Sequence, residues 1–62
     1  MFLTIKIKTG NDAMLSWGDM ARSLNDLASE MMGRDGEELS EDDGIISDLN
    51  GQRVGRWDLV EE

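Results

Sequence analysis

Polar and apolar side chains alternate without a break over the first eight residues, Met-Phe-Leu-Thr-Ile-Lys-Ile-Lys. Met1, Leu3, Ile5 and Ile7 fall on one side and Phe2, Thr4, Lys6 and Lys8 on the other, the period-two pattern of a half-buried strand. Thr9-Gly10-Asn11-Asp12 then supplies turn-forming residues. From Trp17 the period changes. Apolar residues recur at Trp17, Met20, Ala21, Leu24, Leu27, Ala28 and Met31, and their offsets of three and four predict one continuous stripe on a helix of about four turns. Ser16 with Asp19 three positions on resembles a capping box, and Gly33 is placed just past the C-terminus, so the helix is expected from Ser16 to Met32. Met14, Met20, Met31 and Met32 are expected to fill gaps in the core. Trp57 is expected in the core as well, with Trp17 capping the sheet edge.

Asp35 to Asp43 holds six acids in nine residues and a single apolar side chain, Leu39. Charges of one sign at this density repel, so the pattern predicts a solvated loop over about 34–44, with Leu39 pinned to the core. Ile45-Ile46-Ser47-Asp48-Leu49 then leads to Asn50-Gly51, the preferred pair for a two-residue type I′ turn, and Gln52 to Val60 returns as the second arm of a hairpin. That register sets Asp48 opposite Arg53. Val54 and Trp57 have opposite parity. Either a bulge at Gly55 re-phases the strand, or one of the two apolar residues is exposed to a partner. The fold class expected is α+β: a three-stranded sheet in β-α-β-β order with one helix packed on one face, all in one domain spanning 1–62. Strand order beyond the hairpin stays open from the sequence; the sheet is compact if the first strand pairs with the C-terminal one, in either direction. Phe2, Thr4, Lys6 and Lys8 are expected on the sheet face away from the helix.

Composition narrows the chemistry. Fourteen Asp and Glu against six Lys and Arg give a formal charge of −8 in 62 residues, ten of the acids lie from Asp35 onward, and there is no His and no Cys. A chain of this charge is not expected to touch nucleic acid or an anionic membrane directly. Without Cys there is no disulfide or thiolate site, and without His, zinc and copper are disfavoured. No signal-peptide or membrane-spanning pattern is read, so a cytosolic protein is expected. A Ser or Thr nucleophile would need a base, and only Lys6 and Lys8 on an exposed strand face offer one; no catalytic residue and no cofactor are expected. Asp48-Leu49-Asn50-Gly51 is reminiscent of the middle of a calcium loop. Counting from Gly51, however, Ile46 stands at the first ligand position and Trp57 at the twelfth, so the segment is read as a turn.

The strings Ile5-Lys6-Ile7-Lys8-Thr9-Gly10-Asn11 and Asp48-Leu49-Asn50-Gly51-Gln52-Arg53-Val54-Gly55-Arg56-Trp57, flanking a Leu/Ala helix, resemble a group of small uncharacterised bacterial and phage-type proteins. In these an IKTGN start and a D-x-N-G-x-x-V-G hairpin recur. The likeness covers nearly the whole chain, and its motifs are structural ones that imply no activity. In size and acidity the chain is also similar to phage-encoded inhibitors such as anti-CRISPR proteins, several of which mimic DNA.

Two functions follow as expectations. The first is a small acidic inhibitor of the phage-encoded, anti-CRISPR-like kind that the resemblance implies, which occupies the basic nucleic-acid-binding surface of a protein or complex, with Asp26, Glu30, Asp35, Glu37, Glu38, Glu41, Asp42 and Asp43 as its partner-binding residues. The second is an assembly module, a homodimer joined through the open sheet face or an edge strand, with Phe2, Val54 or Trp57 in the contact.

Overall fold

A computed structural model describes residues 1–61. It contains β1 (Phe2–Ile7), α1 (Trp17–Met32), β2 (Asp42–Ser47) and β3 (Arg53–Val60) in that order. The strands form one antiparallel sheet with β3 in the centre, in the order β1-β3-β2. This is the expected α+β fold. The direction of the first pairing, open from sequence, is antiparallel, running from Phe2 opposite Val60 to Ile7 opposite Gly55.

The capping box at the start of α1 forms. The Asp19 amide donates to Ser16 Oγ (3.0 Å), while Asp19 Oδ2 accepts from the amides of Ser16 (3.1 Å) and Leu15 (3.0 Å). Those backbone donors, Leu15 foremost, hold the Asp19 carboxyl below the ordinary aspartate range. A carboxylate whose folded pKa is depressed stabilises the fold above its unfolded pKa, and that contribution is lost as pH falls through the folded value. Acid titration below about pH 4 should therefore cost the wild type more than Asp19→Asn. Melting temperatures of the two proteins between pH 6 and pH 2 check this, and parallel curves would contradict it. At the other end Gly33 keeps a right-handed conformation (φ −63°) and the left-handed residue is Gly36 (φ +94°). Helix-like turns continue between them, through bonds from the Arg34 amide to the Met31 carbonyl and from the Asp35 amide to the Met32 carbonyl.

The helix stripe is wider than the sheet beneath it. Ser23 and Leu27 are buried, and Met20 and Met31 pack on the core, but Trp17 is 89 % exposed and Leu24 37 %. The expectation of a single buried stripe with Trp17 against the sheet edge is thus corrected. The core-facing line runs through Met20, Ser23, Leu27 and Met31, and Trp17, Ala21, Leu24 and Ala28 lie about a quarter turn away. Ser23 decides the seating. Its small side chain is almost fully buried and donates to Met14 Sδ (3.4 Å), letting Met14 plug the core beside the helix. Of the four methionines assigned to the core, Met32 is exposed.

The hairpin forms, with a different turn. Asn50 does not take a positive φ, which a type I′ turn requires at both central residues; only Gly51 does (φ +80°). The Gly51 amide donates to the Asp48 carbonyl and the Asp48 amide to the Gln52 carbonyl, the pattern of a three-residue loop closed by a left-handed glycine. Asp48 consequently faces Gln52, and Arg53 pairs with Ser47, not with Asp48. Further along, the register passes from Ser47–Arg53 to Ile46–Gly55, leaving Val54 as an extra residue on β3. This bulge resolves the parity conflict, because Val54 is buried and Trp57 packs against the same core. The strand β2 also begins earlier than expected, at Asp42.

Candidate functional site

The acids assigned to partner binding separate into two groups. Asp26 and Glu30 are exposed on α1 and line the cleft between the helix and β2, with Asp42 and Asp43 on the facing strand. Asp35, Glu37 and Glu38 follow the helix C-terminus, and Glu41 leads into β2; all are exposed. The last turn of α1 carries no basic residue, so the negative end of the helix dipole points into this same region. Eight carboxylates therefore gather at the α1 C-terminus and along the β2 flank, whereas Phe2 to Lys8 holds two lysines and no acid.

Of the six acids expected in the loop, two are strand residues. Asp42 and Asp43 lie in β2, which corrects the loop expected over 34–44. Each is tied to an arginine. Arg34 Nη1 reaches Asp42 Oδ2 at 2.7 Å while its Nε reaches Glu37 Oε1 at 3.3 Å. The Arg34 hydrogen bond, together with the Asp43 amide, holds the Asp42 carboxyl below its ordinary value, and the same contact raises Arg34. Asp43 stands directly opposite Asp58 across the β2–β3 ladder, a like-charge pairing that costs stability unless a cation intervenes. Arg56 Nη2 supplies it, 2.7 Å from Asp43 and 2.9 Å from Asp58. The two arginines were missed in reading the sequence because their roles depend on the β2–β3 register. Asp26, Glu30, Asp35 and Glu38 have no basic partner among the described residues.

Leu39 is 77 % exposed and not pinned to the core. It borders an apolar groove with Leu3, Met31, Trp57 and Leu59, and Glu37 and Glu38 stand at its rim. Asp48 is a further residue whose role sequence reasoning did not find. It is buried, and Oδ1 accepts from the amides of Asn50 and Gln52 (both 2.9 Å) while Oδ2 accepts from Asn11 Nδ2 (3.2 Å). Asn11 in turn accepts from the Ala13 amide through Oδ1 (3.1 Å). The carboxylate that suggested a cation loop is thus engaged in holding the hairpin to the β1–α1 turn. No cluster of three or more acids is arranged to hold a metal ion among the described residues, and none of their helices is long and apolar enough to cross a membrane. No protein-family model matches this chain, nor does any curated protein or solved structure.

Proposed function

We propose that this chain is a small acidic inhibitor-type binding protein whose carboxylates occupy the basic, nucleic-acid-binding surface of another protein. The observation that carries the reading is the one-sided placement of exposed acid. Glu30, Asp35 and Glu38 stand at or just beyond the negative end of α1 and Asp26 on its exposed flank, all without basic partners among the described residues. A net charge of −8 on 62 residues lies at the top of the range, about 2–8, that solubility asks of a small domain. Duplex DNA presents one charge per roughly 1.7 Å of its axis, and a basic surface built for it attracts an exposed group of carboxylates for the same electrostatic reason. Asp42 and Asp43 contribute less to the attraction than their number suggests, because Arg34 and Arg56 already neutralise them.

A contact of this type weakens steeply with salt. Immobilised protein should retain a nucleic-acid-binding protein from host lysate at low salt and release it at high salt. Converting Asp26, Asp35 to Asn and Glu30, Glu38 to Gln should abolish the capture with the fold unchanged, since none of the four makes an ion pair. Equal capture by both proteins would refute the proposal.

A further inference from the structure

The sheet is only partly covered on the helix side. The close approach of α1 is to β2, at one edge, and on β1, at the opposite edge, the inward-directed Leu3 and Ile5 remain 50 % and 39 % exposed. The acidic flank of the helix, Asp26 and Glu30, faces the β2 cleft. On helical geometry the flank carrying Trp17, Ala21, Leu24 and Ala28 lies on the other side of the core-facing line, toward β1. Met31, between the two, lines the groove that contains Leu3, Trp57 and Leu59. The helix flank and β1 thus border one apolar trough.

The monomer is short of buried surface. A folded chain of 6.9 kDa is expected to expose about 4,000 Å²; this one exposes 4714 Å². Its radius of gyration is 12.3 Å, where about 10.6 Å is usual for its length. Among the described residues four hydrophobic ones are buried: Met14, Leu27, Ile46 and Val54. The excess exposure of about 700 Å² is close to the roughly 800 Å² that each partner contributes to a standard interface.

We infer that the trough takes a second copy of this chain, the Trp17–Leu24 flank of each protomer covering Leu3 and Ile5 of the other about a two-fold axis. Both halves of the contact are on one protomer, which is the self-complementarity that a two-fold dimer needs. The centre of the contact is uncharged: none of Leu3, Ile5, Trp17, Ala21, Leu24 and Ala28 is ionisable, while Glu37, Glu38 and Asp42 border it at the Leu3 end, with Arg34 beside them. This arrangement leaves the acidic flanks open and stands independently of what they bind.

The test is the mass of the full chain by sedimentation equilibrium from about 1 to 300 µM, with the melting temperature over the same range. The dimer predicts a mass rising toward twice 6.9 kDa and a melting temperature that climbs with concentration. Trp17→Ala should shift the midpoint of association upward at least tenfold without altering the circular dichroism of the protomer, because Trp17 packs on almost nothing within it. Leu3→Lys, at a half-exposed strand position, should do the same from the other half of the contact. A wild type that stays monomeric throughout, or a dimer that survives both substitutions, overturns the inference.

Discussion

Gly55→Ala should abolish most or all of the stability of this protein. A Cβ at this position would overlap the carbonyl oxygen of Lys6 and crowd the Cα of Ile7 (2.9 Å). These are backbone atoms of β1, so no side-chain rotation can relieve the conflict. The bulge explains the closeness: with Val54 extra on β3, the chain at Gly55 turns its missing side chain toward the neighbouring strand. Parting β1 from β3 would expose Ile7 and Val54, both members of the core or packed against it. A chain of 62 residues has a total stability of about 3–9 kcal/mol, and a displaced strand with an opened core costs about 3 kcal/mol or more. Urea unfolding followed by circular dichroism checks this. Gly18→Ala is the control, since its Cβ would meet nothing nearer than Ser16 Oγ at 3.6 Å, and removing a helical glycine should stabilise by about 0.5 kcal/mol. A Gly55→Ala protein with the wild-type midpoint would show that the bulge is wrongly placed.

The second large effect is expected at Asp48. Truncation to Ala strands the amides of Asn50 and Gln52 and the Asn11 side chain, three donors that share one buried carboxylate. Losing three part-buried charge-assisted bonds costs about 3 kcal/mol in all, and the turn loses the acceptor that organises it. A swap separates the contact from the charge. D48N alone sets two amide groups donor to donor, whereas N11D/D48N restores a donor–acceptor pair and keeps an oxygen for the Ala13 amide. The double variant should recover at least half of the stability lost in D48N, measured as a double-mutant cycle. Additive losses would mean that the Asn11–Asp48 contact is incidental.

Both predictions concern residues of the strings that resemble other small proteins, and they explain what those strings do locally. Asn11 closes the first, while Asp48, Gly51, Val54 and Gly55 punctuate the second; in the fold the two are joined by the Asn11–Asp48 bond. Single-strand and single-helix features were legible because each is encoded within a few residues. The alternation from Met1 to Lys8, the Ser16–Asp19 box and the Val54/Trp57 parity conflict are of this kind. The turn type was not legible. Asn50-Gly51 satisfies a two-residue loop, and only the bonds from the Asn50 and Gln52 amides to Asp48 tip the balance to three. The helix face was misjudged for a different reason. Seven apolar positions span more of the helix circumference than one small sheet can cover, and which part is covered depends on Met14 and Ser23, a contact nine residues apart. The acidic segment looked like loop because a strand beginning at Asp42-Asp43 needs cations from elsewhere in the chain. Arg34 and Arg56 supply them only once the strands are in register.

The acid placement bears on the account in a way that the arginines sharpen. Asp42 and Asp43 are tied to Arg34 and Arg56, and the carboxylates without built-in cations are the ones available to a basic partner. The two groups predict different phenotypes on neutralisation: a small change in stability for the exposed pairs of Asp42 and Asp43, loss of binding for Asp26, Glu30, Asp35 and Glu38.

The most direct test compares three immobilised proteins in one host lysate: wild type, the variant neutralised at Asp26, Glu30, Asp35 and Glu38, and the variant neutralised at Asp35, Glu37, Glu38, Glu41, Asp42 and Asp43. Captured proteins are eluted by a salt step and identified by mass spectrometry. The account predicts a nucleic-acid-binding protein on the wild type, released by salt and missing from both variants. Recovery of the same partner on all three, or of no basic partner on the wild type, would contradict it.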